Sequence, residues 1–200
     1  MRIFVEGGGD SNASLGRCHG GFREFLAKLV PGGRRPRVVA CGGRQRAYDR
    51  FCSAAADGNG SAFLLVDAEG PVADVDKPWE HLRSRPGDNW SRPKAVRQEQ
   101  AHLMVQVMES WLVCDPETLA EFYGQGFRRR ALPRNPQIED APKADIQRGL
   151  ENATRDCETK GAYHKGRHSF ALLARIDVDN VCALAPSVVR LRDVLTDLDE

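Results

Sequence analysis

Arg2-Ile3-Phe4-Val5-Glu6-Gly7-Gly8-Gly9-Asp10 and Ala62-Phe63-Leu64-Leu65-Val66-Asp67-Ala68-Glu69-Gly70 are the two stretches that decide how this chain folds. Each is an apolar, β-branched run that stops abruptly at acids and glycine. Apolar runs this short, bounded by turn signals, read as buried strands of a parallel sheet. Ligands of open α/β sheets bind beyond the carboxyl ends of the strands. If the two runs are neighbouring parallel strands, Glu6, Asp67 and Glu69, with Asp10 as a fourth, gather at one edge. Carboxylates brought together repel unless a hard cation sits among them, and such oxygen clusters suit magnesium or manganese. The plainer alternative is that acids at strand ends cap helices and form turns.

Working outward, Phe22, Phe25, Leu26 and Leu29 recur at helical spacing and stop at Pro31-Gly32-Gly33. Arg37-Val38-Val39-Ala40 reads as a strand. A helix through Ala47, Phe51 and Ala55 follows, ending near Asp57-Gly58-Asn59-Gly60. Strand, helix, strand, helix, strand is the pattern of a parallel α/β sheet. Residues 70–97 read as an irregular loop beside the site, with Trp79 and Trp90 as anchors. Residues 101–107 form a fourth strand and Glu109 opens a helix. Asp115-Pro116-Glu117 is an N-cap with proline at the first helical position, leading a helix to Tyr123. Residues 124–144 are a second loop, and helices are expected near 143–155, 167–175 and 187–198. The expected architecture is an α/β core of about four parallel strands flanked by helices over residues 1–115. A helical C-terminal elaboration over 116–200 packs on it, with no internal repeat.

A formal net charge of +1 provides no global field for polyanions. The charge is uneven, however. Lys28, Arg34, Arg35, Arg37, Arg44, Arg46 and Arg50 face one acid, Asp49, and Arg128, Arg129, Arg130 and Arg134 form a second basic cluster. Acids at the chemistry and arginines on the backbone suit a metal-dependent enzyme acting on a phosphodiester; solvated helix faces look the same. Six scattered cysteines without a C-x-x-C pair read as reduced thiols. No apolar run approaches a membrane span, and the N-terminus enters a strand at once, so a cytoplasmic protein is expected.

The Gly7-Gly8-Gly9 loop matches neither G-x-x-x-x-G-K-[ST] nor G-x-G-x-x-G. It lets the backbone bring Glu6 close to a metal and a phosphate, or simply turns. His164 and His168 flank Lys165-Gly166-Arg167, and an H-x-x-x-H pair binds zinc only when both histidines share one helix. Alternatively Lys160, Lys165, Arg167 and His168 lie at a helix N-terminus, where the dipole favours phosphate. Glu109 and Asp115 are further candidate acids, Asp115 more simply as an N-cap.

The two opening motifs resemble the TOPRIM signature of type IA and type II topoisomerases, bacterial primases and the overcoming-lysogenization-defect nucleases. The first TOPRIM motif is a strand ending in Glu-Gly-x-x-Asp, here Glu6 to Asp10. The second ends in Asp-x-Asp, here Asp67-Ala68-Glu69, with glutamate in place of the second aspartate. Arg35 to Gly43, Gln100 to Met104, Met108 to Trp111 and Tyr163 to Phe170 are similar to a bacterial TOPRIM-like family of unknown function. Members are often encoded beside an SMC- or ABC-type ATPase in phage-defence loci. The resemblance implies a Mg²⁺-dependent (or Mn²⁺-dependent) nuclease acting on DNA or RNA under control of that ATPase. Asp67 and Glu69 would hold the ion, and Glu6 would be a further ligand or the acid–base group. Lys165, His168, Arg34, Arg35, Arg37, Arg44, Lys160 and Arg167 would neutralise phosphates without reading bases. A topoisomerase tyrosine lies outside the TOPRIM domain, so hydrolysis is expected rather than strand transfer. The alternatives are a non-catalytic docking subunit of the ATPase and a nucleotide phosphohydrolase; self-association stays open.

Overall fold

Four short apolar runs become strands in a computed structural model that describes residues 1–33, 35–58 and 61–197. They are β1 (Arg2–Val5), β2 (Arg37–Ala40), β3 (Ala62–Asp67) and β4 (Ala101–Met104), all parallel, in the order β2-β1-β3-β4. In register, Ile3 lies between Val38 and Phe63. β3 is buried along its whole length, which is why it reads as a continuous apolar run.

α1 (Asn12–Leu29) joins β1 to β2, and α2 (Arg44–Ala56) joins β2 to β3. The Ser11 hydroxyl accepts from the Ser14 amide and starts α1, which buries Phe22, Phe25, Leu26 and Leu29 on one face. Strand side chains alternate between faces. Ile3, Val5, Phe63 and Leu65 therefore pack with α1, while Phe4, Leu64 and Val66 pack with Ala47 and Phe51 of α2. The chain steps from β1 outward to β2, then back past β1 to β3. With the usual right-handed crossovers this reversal puts the two helices on opposite faces. It also opens a crevice between the carboxyl ends of β1 and β3.

The region expected to be a loop over 70–97 holds a helix, α3 (Pro78–Ser84). Proline sits in its first turn, and Trp79, Leu82 and the later Trp90 bury against the α2 face. With so few apolar residues, no periodicity marks it. β4 ends three residues before the expected Val107, because the chain then turns under the site: Met104 O accepts from Ala68 N and Gln106 O from Glu69 N.

α4 (Glu109–Val113) and α5 (Pro116–Tyr123) follow, the latter capped by Asp115, which accepts from Thr118 N at 3.1 Å. Then come α6 (Lys143–Thr154), α7 (Lys165–Leu173), α8 (Val178–Leu184) and α9 (Pro186–Asp197). α7 begins two residues before the expected start. α8, capped by Asp177, is a helix the sequence reading did not contain. Leu198, Asn59 and Gly60 of the expected elements lie outside the described residues. One apolar cluster unites Phe22 and Trp111 with Leu150, Leu172 and Leu191, so the helices after residue 115 complete the α1 side of the sheet. α1 and α7 approach so closely that a Cβ on Gly21 would come within 2.7 Å of the Phe170 carbonyl oxygen. This contact carries the start of α7 to the crevice. Among the described residues no helix is long and apolar enough to cross a membrane.

Candidate metal centre

Glu6 directly follows β1, and its amide still bonds Leu65 O at 3.0 Å. Asp67 ends β3. Glu69 stands two residues on at φ 64°, a left-handed conformation uncommon for a non-glycine residue. One carboxylate oxygen from each of the three lies within 4.8 Å of the others. The three line a cavity of about 330 Å³ together with Gly7, Gly8 and Lys165. The glycine loop is fixed by paired backbone bonds, Gly7 N to Gly42 O at 2.8 Å and Gly42 N to Gly7 O at 3.0 Å. At Gly42, φ is 75° and a Cβ would sit 2.5 Å from Gly9 O, so only glycine fits.

Each carboxylate faces a cation, and two of those cations are shared with a further acid. Arg44 donates to Glu6 Oε2 at 3.0 Å, to Asp88 and to the Asp67 carbonyl, with its guanidinium 5.0 Å from the Trp90 ring centre. Lys143 pairs with Glu69 at 2.5 Å. Lys165 lies 3.8 Å from Asp67 Oδ2 and 3.2 Å from Glu109 Oε1. Glu109 is buried and also accepts from the Tyr163 hydroxyl at 3.0 Å.

Asp67 is the least compensated of the three. Its Oδ1 accepts from Met108 N at 2.8 Å, while Oδ2 meets Lys165 at an ion-pair distance, too long for a hydrogen bond. Burial pushes its pKa up to about 8, reinforced by the charges of Glu6 and Glu109 against the pull of Lys165. Glu6 is also raised, burial outweighing Arg44. For Glu69 burial is outweighed by the Lys143 hydrogen bond and charge, and its pKa falls. Lys165 is held protonated by Glu109 and Asp67 although burial opposes this. An all-oxygen donor set with a buried, poorly neutralised member fits a hard divalent cation.

Five of the expected site residues meet here: Glu6, Asp67, Glu69, Lys165 and Arg44. Asp10 does not. It is exposed, in an ion pair with Arg46 at 3.2 Å, and does not join the triad. His168 turns into the apolar side of α7, where its Nδ1 accepts from His164 N at 3.2 Å and lies 3.0 Å from the Tyr123 hydroxyl. Burial, then the charge of Arg167, lowers its pKa, and its ring packs edge-on against Phe122, Tyr123 and Tyr163. Arg44 is consumed by carboxylates. Arg35 precedes β2 and Arg37 opens it, and the three steps from Arg37 to Ala40 span roughly 10 Å, which puts both at the opposite edge of the sheet from the acids. Arg34 lies outside the described residues. Lys160 stands over the Phe122 ring at 5.0 Å, and Arg167 is exposed in the first turn of α7. Among the described residues, the group of three or more metal-capable side chains is Glu6, Asp67 and Glu69, and the His164–His168 pair joins no such group. Sequence reasoning missed Lys143, Tyr163 and Asp88. Their local sequence carries no signal, since their partners are 74, 54 and 44 residues distant.

A family model described as Domain of unknown function (DUF4276) matches residues 5–196, and the chain belongs to that family. No curated protein and no solved structure matches it.

Proposed function

We propose that this DUF4276 chain is a Mg²⁺- or Mn²⁺-dependent TOPRIM-like nuclease that hydrolyses phosphodiester bonds of nucleic acid. The observation that carries this reading is the carboxylate triad at the β1–β3 crevice, with Asp67 buried and poorly compensated. Glu6, Asp67 and Glu69 would hold the ion, which when bound supplies Lewis-acid polarisation of a phosphoryl oxygen.

Charge arithmetic points to the substrate class. With every group ionised, Glu6, Asp67, Glu69, Asp88 and Glu109 outnumber Arg44, Arg85, Lys143 and Lys165 by one, so a divalent cation turns the net charge of the network positive and in need of an anion. Other features favour phosphate. α1 and α7 both begin at this cavity, neither has an acid in its first turn, and Lys165 opens α7. Glu109, tied to Tyr163, orients the Lys165 ammonium toward the triad. Lys160 and Arg167 would extend phosphate contacts along the α7 side. Through the TOPRIM-like resemblance the same reading assigns a cytoplasmic protein controlled by an SMC- or ABC-type ATPase.

The same charge balance favours a second reading. Acids interleaved with nearly as many cations also describe a structural network in a docking subunit of that ATPase. A Mn²⁺ titration of the full chain divides the two. Saturable binding in wild type that Asp67→Asn and Glu6→Gln each abolish is expected for the enzyme. Binding indifferent to both substitutions would sink the nuclease reading.

A further inference from the structure

We infer that Lys143 is a substrate-positioning residue, a resident counter-ion of Glu69 that transfers to a substrate phosphate when a divalent cation takes the carboxylate. Metal and phosphate then bind cooperatively. This rests on the metal reading above and deepens it.

The pairing is built into the backbone. Gln106 is buried, and its carbonyl accepts from Glu69 N at 2.7 Å while its side-chain oxygen accepts from Lys143 N at 3.3 Å. One residue thus brackets both backbones and sets the distance between carboxylate and ammonium. Lys143 has an anchored backbone, as the first residue of α6, and a side chain that is 51% exposed, so its head group is free to move. Glu69, Lys143 and Lys165 also line a smaller cavity of about 140 Å³ beside the first. An ammonium at 2.5 Å from a ligand carboxylate and a divalent cation on that carboxylate repel strongly at such range. An anion between them relieves the repulsion and holds both. By linkage, each ligand then tightens the other by the same factor.

The test measures Mn²⁺ binding to the full chain by the electron-spin resonance of free Mn²⁺. It is run with and without a short thymidine oligomer whose phosphorothioate linkages resist cleavage. Wild type is expected to bind Mn²⁺ about 5-fold or more tightly with the oligomer. In Lys143→Met, Mn²⁺ alone binds more tightly than to wild type, because the competing charge is gone, and the oligomer changes it less than about 2-fold. Lys143→Arg keeps the coupling. No tightening in wild type, or the same tightening in Lys143→Met, overturns this inference and leaves the metal site standing. Absence of Mn²⁺ binding in wild type overturns both.

Discussion

The two walls of the carboxylate cavity are built differently. The α/β core contributes the acids and one cation, Arg44, whose side chain is 13% exposed and held by Glu6, Asp88 and the Asp67 carbonyl. The helices after residue 115 contribute Lys143 and Lys165, whose side chains are 51% and 62% exposed. A guanidinium with several buried partners is part of the architecture. Lys165 holds the buried Asp67 and Glu109, whereas Lys143 pairs only with the partly exposed Glu69 and costs little to move, so in the proposed nuclease Lys143 is the charge a substrate would borrow.

The largest effect should come from breaking the rigid wall. Arg44→Ala leaves Glu6 without its cation and Asp88 with Arg85 alone, and should cost about 3 kcal/mol in urea unfolding. A loss no greater than that of a lysine substitution would erase the distinction between the walls. Next, Asp67→Asn should weaken Mn²⁺ binding beyond the roughly 100-fold seen when outer-shell partners of a metal are removed. The same change should stabilise the metal-free protein near pH 8, where a buried charge disappears.

A pH series sharpens the role of Asp67. Its pKa is raised in the folded state from 3.8 to about 8. The protonated form therefore contributes stability that is complete below 3.8 and lost as pH rises through about 8. Unfolding midpoints in chelator should fall over that interval in wild type and much less in Asp67→Asn. Metal binding near neutral pH should release up to about one proton, read by calorimetry in buffers of different ionisation enthalpy. The smallest effect belongs to the exposed pair: Lys143→Met should shift stability by about 1 kcal/mol or less. A loss comparable to that of Arg44→Ala would place Lys143 in the rigid frame.

Legibility followed the range of the interactions. β1, β2 and β3 and the α1 stripe were readable because burial imposes local periodicity, and the Asp115 cap because it acts on an amide three residues away. α3 and α8 were not, since a few scattered apolar residues carry no period. The basic residues misled for a related reason. Arg44 looks like any phosphate-binding arginine until Asp88 is seen beside it. Likewise His168 looks like a partner of Lys165 until α7 is rotated by its apolar face. Tests of polynucleotide contact therefore belong on Lys160 and Arg167 rather than on Arg35 and Arg37.

Strand identity, the parallel pattern and the acids at the strand ends were determined by sequence alone, because burial on both faces and the chain's abrupt turn to glycine are local demands. Which cation neutralises which carboxylate, and how freely, was decided only by the tertiary structure. Ion pairing depends on distances between residues far apart in the chain, and on how much water each charge has lost. No window of sequence encodes either quantity.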